Sequence, residues 1–165
     1  MKLYHGSNTA FSEIDLSVCR PNKDFGRGFY LAPDRLSAER MACRTVRRFG
    51  GRPYVMTFEF DEALLDKAQV KRFAAPSEQW AMFVMANRCP DVSAADHNRD
   101  NRYDLVVGPV ANDDLALLFR QFALGLVTVE MLVSEMRYKR LSFQYSFHSS
   151  AAVSALAFIG ADDVH

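Results

Sequence analysis

Three short strand-like segments, far apart in the chain, each carry polar residues for which a buried strand has no structural use. Leu3-Tyr4-His5-Gly6-Ser7 opens the protein. Asp24-Phe25-Gly26-Arg27-Gly28-Phe29-Tyr30-Leu31-Ala32 follows after one loop. Phe143-Gln144-Tyr145-Ser146-Phe147-His148-Ser149 lies near the C-terminal end. A fold for this chain must unite such isolated strands and find a use for their His, Tyr and Gln.

Between these segments, helical and strand-like stretches alternate. Lys2 to His5 reads as a strand, and Asn8 to Lys23 as a loop broken by Ser12, Asp15, Ser17, Pro21 and Asn22. Gly26 and Gly28 bracket a turn before a strand over Phe29 to Ala32. Pro33-Asp34 starts a helix with Asp34 as N-cap; Leu36, Met41, Thr45 and Phe49 form its apolar side, and Gly50-Gly51 stops it. Pro53 to Phe60 alternates like a strand. Pro76-Ser77 opens a helix carrying Trp80, Phe83, Val84 and Asn87, with Pro90 just beyond its end, and Asp91 to Arg102 is polar loop. Tyr103 to Val107 is a buried strand ended by Gly108-Pro109. Helices are expected over Asp113 to Ala123 and Thr128 to Met136, split at Gly125. Leu141 to Phe147 is a strand, and Ser149 caps a last helix running through Phe158. With no repeat or linker, this pattern predicts a single α+β domain over residues 1–165.

Composition narrows the function classes mainly by exclusion. Twenty basic residues balance twenty acidic ones, so no global field draws the chain to nucleic acid or membrane. No apolar run approaches a membrane span, and Met1 leads straight into a strand-like run rather than a signal peptide. Cys19, Cys43 and Cys89 are odd in number and show no paired spacing. A cytoplasmic location follows as the expectation, with the cysteines as small buried hydrophobes. No Cys/His set has metal spacing, no Walker loop or third dinucleotide-fold glycine appears, and no Gly-x-Ser-x-Gly elbow is present.

Together, the three segments resemble the motifs of ADP-ribosyltransferases of the diphtheria-toxin and poly(ADP-ribose)-polymerase type. That family carries a His on its first strand, a Tyr in a Gly-x-Gly-x-Tyr turn, and usually a Glu on a late strand. The resemblance covers Leu3 to about Ile159. It implies a split β-sheet with flanking helices and NAD as substrate, with no metal. Breaking the nicotinamide–ribose bond develops positive charge on the ribose, so the site needs a stacking aromatic, a backbone edge for the carboxamide and polar groups at the ribose hydroxyls. His5 and Gly6, followed by Ser7, would hold the dinucleotide, Gly6 having no Cβ to block the ligand. Tyr30, after Gly26 and Gly28, would stack on nicotinamide. Arg20 and Asp24 match a bacterial subgroup of the family, Arg20 either meeting the pyrophosphate or lying on the surface.

Gln144 stands where the family has its Glu. It can hydrogen-bond a ribose hydroxyl but carries no charge and cannot act as a base. That argues against chain polymerisation and for transfer of single units. The resemblance therefore implies a mono-ADP-ribosyltransferase acting on a nucleic acid or protein, of the kind found in bacterial toxins and phage defence, with a cognate antitoxin as a possible partner. NAD glycohydrolysis, or binding of NAD or ADP-ribose without chemistry, are the alternatives. The second stacking Tyr of the polymerases has no counterpart near Arg40-Met41-Ala42.

Other residues have two readings each. The turn from Gly108 to Asp114 either presents Asn112 or Asp113 to substrate or uses Asn112 as a helix cap. Trp80, Phe83 and Asn87 read as core rather than a cofactor box. His148 is a second polar group near the site or a solvated histidine. Arg40, Arg44, Arg47 and Arg48 share a helix face, to which Lys71, Arg72 and Arg52 could add. That face suits a nucleic-acid backbone, an acidic partner or simply solvent.

Overall fold

Apolar residues on alternate positions of widely spaced strands give two sheets that bury one core between them. The computed structural model describes residues 1–65, 67–89, 91–92, 94–111, 113–137 and 142–164. Strands β1 (Lys2–Ser7), β3 (Tyr54–Phe60) and β7 (Leu156–Asp163) form an antiparallel sheet in the order β1-β3-β7. Strands β2 (Phe29–Leu31), β4 (Val70–Arg72), β5 (Leu105–Pro109) and β6 (Phe143–Phe147) form a second, in the order β2-β6-β5-β4. Leu3, Met56, Phe58 and Phe60 of the first sheet meet Phe29, Leu31, Leu105, Val107 and Phe147 of the second. The Phe29–Phe58 and Phe60–Phe147 rings lie edge to face at 5.6 and 5.3 Å. Both faces of the second sheet are covered. Its other side packs Phe25 and Val106 against α2 (Glu78–Arg88), α3 (Asp113–Ala123) and α4 (Val129–Arg137), with Trp80, Phe83, Leu115 and Leu132 buried there. The mixed α+β class read from the sequence is observed, and no described helix is long and apolar enough to cross a membrane.

Helix α1 (Arg35–Phe49) covers the outer face of β1, and here the structure corrects the sequence reading. Asp34 caps it as expected, accepting from the Ser37 N–H at 2.8 Å. The buried side, however, is Ala38 and Ala42, while Leu36, Met41 and Phe49 are exposed. The reason is Gly6. A Cβ there would collide with the Ala38 carbonyl oxygen and lie 2.7 Å from the Ala42 nitrogen. Helix and strand touch backbone to backbone, which only small residues permit. The missing Cβ of Gly6 thus admits a helix on that face of the strand.

Other differences have local causes. Ser149 does cap a helix, accepting from the Ala152 N–H at 3.1 Å, but α5 (Ser150–Val153) is a single turn. The expected continuation to Phe158 is instead β7, because pairing with β3 outweighs the helix propensity of the alanine-rich run. β5 runs through Gly108 and Pro109 rather than ending before them. Proline fits because β4 pairs only with Leu105 to Val107, so no donor is needed at Pro109 on that side. None of the cysteines is fully buried; Cys19 and Cys43 are partly covered, Cys89 is exposed, and all three are free thiols. Asn112, Pro90, Leu141 and His165 lie outside the described residues.

Candidate active site

The two sheets touch through one rung and then part. Tyr4 and Ala32 exchange both backbone hydrogen bonds at 2.8 Å. The next rung, Gly6 with Tyr30, does not form; the His5 ring takes the carbonyl oxygen of Tyr30 instead, Nδ1 donating at 2.7 Å. Strand alternation settles where Gly6 points. Tyr4 spends its N–H and C=O on Ala32, so Gly6, two residues on, turns its own away from β3 into the same split. No described group bonds them, although Gly6 is buried. This is a two-sided peptide edge beside a histidine.

His5 is held on three sides. It stacks on Phe29 at 4.5 Å and meets Phe11 edge-on at 5.6 Å. Burial lowers its pKa; the Tyr30 carbonyl works against this and the Lys23 ammonium adds to it. The neutral ring, with its proton on Nδ1, keeps an acceptor at Nε2 that no described residue uses. Ser7 sits beside it, half-buried, its Oγ accepting from Thr9 N–H at 3.3 Å.

Tyr30, half-buried on β2, closes the glycine turn. Its hydroxyl donates to the Gly26 carbonyl at 2.7 Å and accepts from the Phe25 N–H at 3.0 Å. Burial, then the Asp24 carboxylate, hold the phenol well above its ordinary pKa, so it stays a neutral donor. Gly26 adopts φ +90° against the Asn98 carbonyl. Gly28 has no such φ and is needed for space: a Cβ would lie 2.5 Å from His148 Nδ1 and 2.7 Å from the Phe147 oxygen.

Asp24 carries the site across to β6. It is 7% exposed and accepts from Arg88 Nε and Nη2 at 2.8 and 2.5 Å, from the Ala111 N–H at 3.0 Å, and from Gln144 Nε2 at 2.8 Å. Arg88 also donates to the Ala111 carbonyl at 2.8 Å, fixing the turn after β5. A hydrogen-bonded path therefore joins all three sequence segments: His5 to Tyr30, Tyr30 to Phe25, and Asp24 beside it to Gln144. Gln144, Ser146 and Tyr30 share one face of the second sheet, since Tyr30 lies opposite Ser146.

The remaining expectations divide. Arg20 stays outside this path; its guanidinium covers the Phe49 ring at 4.6 Å. His148 is not solvated but 5% exposed, its Nδ1 on the Arg27 carbonyl and its Nε2 on Ser146 Oγ. Trp80, Phe83 and Asn87 are core, Asn87 receiving the Asn98 N–H at 2.8 Å. Arg40, Arg47 and Arg48 are exposed along α1, but Lys71 and Arg72 do not extend their stripe, being paired with Asp96 and Glu62. Two residues escaped the sequence reading. Arg88 is the one basic residue of α2, and at the C-terminal end it reads as an ordinary helix-end cation. Lys23 lies near the split; desolvation lowers its pKa, Asp24 opposes this, and Arg20, Arg88 and Arg48 add to it. Two open hollows of about 640 and 470 Å³ lie against α5 and between α2 and α4, away from these residues. Among the described residues no group of acidic, His and Cys side chains suits a metal.

The family model described as "Protein of unknown function (DUF3990)" matches residues 1–158. The chain belongs to the DUF3990 family. A search of curated proteins finds no match. The matched stretch of this DUF3990 chain contains every residue of the path from His5 to Gln144.

Proposed function

We propose that this chain is a mono-ADP-ribosyltransferase with the split-sheet fold of that family, moving one ADP-ribose from NAD to a nucleic acid or protein. One observation carries the reading. The His, Tyr and Gln of three distant segments converge where the sheets part, beside a peptide edge that no described group bonds. Gly6 offers its N–H and C=O to the carboxamide of nicotinamide. His5 offers neutral Nε2 to a ribose hydroxyl. The half-buried Tyr30 ring offers a surface for nicotinamide, and Gln144 meets the reacting ribose. Lys23, whose charge is felt at His5 and which lies beside Arg20, is a cation available for the pyrophosphate.

In the reaction the C1′–N bond of NAD breaks, and its electron pair stays with nicotinamide, neutralising the pyridinium. An acceptor O–H or N–H forms the new bond to C1′ and releases its proton. Gln144 cannot take that proton, so solvent or the acceptor does.

The test is purified protein with labelled NAD and a cell lysate, beside Tyr30→Ala and Gln144→Ala, followed by separation of protein, RNA and DNA. Label in one fraction, lost in both variants, is the expected result. Free ADP-ribose without a labelled fraction would make the protein a glycohydrolase. NAD binding with no nicotinamide released would make it a binding module.

A further inference from the structure

We infer that Asp24 is a positioning residue that fixes the amide of Gln144, so that the buried pair takes the place of a carboxylate at position 144. The inference rests on the transferase reading. Gln144 Nε2 faces two acceptors, Asp24 Oδ2 at 2.8 Å and the Pro109 carbonyl at 3.4 Å. Flipping the amide would set Oε1 against both, so the nitrogen is held inward and Oε1 outward. Asp24 itself cannot serve a ligand. Its two oxygens already accept four hydrogen bonds from Arg88, Ala111 and Gln144, and it is buried. Its hydrogen-bonded link toward a ribose runs through the polarised amide of Gln144.

This arrangement explains why Gln, and not Glu, suits position 144 here. A glutamate would press a second carboxylate against Asp24 Oδ2 and against a carbonyl, with no donor between them. The substitution is therefore matched to Asp24 rather than being a loss. Asp24→Asn turns the logic round. Its remaining oxygen faces Arg88 and its amide nitrogen faces position 144, which now favours an oxygen pointing inward, while the Ala111 N–H that shared Oδ2 loses its acceptor in both Asp24→Asn proteins alike.

A four-protein cycle tests this: wild type, Asp24→Asn, Gln144→Glu and the double variant. Nicotinamide release gives kcat and KM for NAD, thermal melting reports folding, and NMR follows exchange of the Gln144 side-chain amide protons without NAD. Each single variant should lose about tenfold or more in kcat, the size expected when a charge-assisted hydrogen bond is lost. The double variant should exceed both singles, because the amide introduced at position 24 supplies the donor that a carboxylate at position 144 lacks. The amide protons should exchange slowly in wild type and faster in Asp24→Asn. Full activity in Gln144→Glu, a double variant no better than the singles, or unchanged exchange in Asp24→Asn overturns the inference. Slow exchange that depends on Asp24, in a protein that releases no nicotinamide, leaves the orientation standing and overturns the transferase reading alone.

Discussion

Two histidines in this molecule start alike and end differently. His5 and His148 each donate Nδ1–H to a main-chain carbonyl at 2.7 Å, of Tyr30 and of Arg27. Burial lowers the pKa of each. They differ at the other nitrogen. His148 Nε2 is 2.8 Å from Ser146 Oγ, so the ring is satisfied on both sides and 5% exposed. His5 Nε2 has no partner among the described residues, and the ring is half-buried at the mouth of a split between strands. The same contrast separates Ser146 from Gln144 on one face of β6. Ser146 is spent on its neighbours, whereas Gln144 has its nitrogen fixed and its oxygen without a partner among the described residues. A buried polar group alone therefore says nothing about chemistry. A group held firmly at one atom and left open at another is what a ligand could use.

The largest effect should come from Gly28→Ala, which attacks the closed histidine through space. The new Cβ would meet His148 Nδ1 at 2.5 Å and the immobile Phe147 carbonyl at 2.7 Å. A loss of about 3 kcal/mol or more is expected, read by urea unfolding. Near-wild-type stability would mean that the β2–β6 edge is looser than the contrast requires.

Next comes a crossed pair. His148→Ala orphans the Arg27 carbonyl and Ser146 in the interior and should cost about 2–4 kcal/mol. His5→Ala should cost less stability and yet abolish nicotinamide release or NAD binding. Equal effects of both changes on stability and on NAD would erase the distinction between the two residues.

Acid should weaken the fold through the same ring. The His148 pKa falls to about 4 in the folded protein, first through burial, against about 6.5 in the unfolded chain. Between those values the unfolded chain holds a proton that the folded one does not. Stability therefore drops as pH falls from about 6.5 to about 4, by about 3 kcal/mol, and levels off below. His5 adds a drop of the same sign. His148→Gln should flatten the slope of stability against pH by up to about one proton. An unchanged slope would show that the ring is already protonated in the folded state.

The same contrast explains what was legible in the sequence. His5, Tyr30 and Gln144 stood out because a polar residue on a strand is conspicuous, and the structure joins all three. Among the elements, Asp34 as a helix cap and the strand read over Pro53 to Phe60, observed from Tyr54, had a strong period or capping signal and were read correctly. What failed had no local signal. Ala38 and Ala42 carry too little hydrophobicity to mark a buried face, and their role exists only because Gly6 lies beneath them. β4 is three residues, two of them charged, and needs β5 to be a strand at all. β7 begins in an alanine-rich run that favours a helix until β3 offers hydrogen bonds. Asp24 stood near the turn motif, but its partners Arg88 and Gln144 lie 64 and 120 residues away, and no spacing rule reaches that far.

The smallest change is the sharpest probe of the contrast. Ser146→Ala removes the hydroxyl from His148 Nε2 and from the Val106 carbonyl, 3.2 Å away. On paper it makes His148 resemble His5, with one nitrogen bonded and one free. The freed nitrogen nevertheless stays inside the protein, where neither solvent nor a dinucleotide can reach it. A cost of about 1–2 kcal/mol in stability is expected, with the KM for NAD and nicotinamide release unchanged. A changed KM would mean that the face shared by Tyr30, Gln144 and Ser146 communicates with the ligand beyond Gln144. The active surface would then have to extend down β6 toward His148.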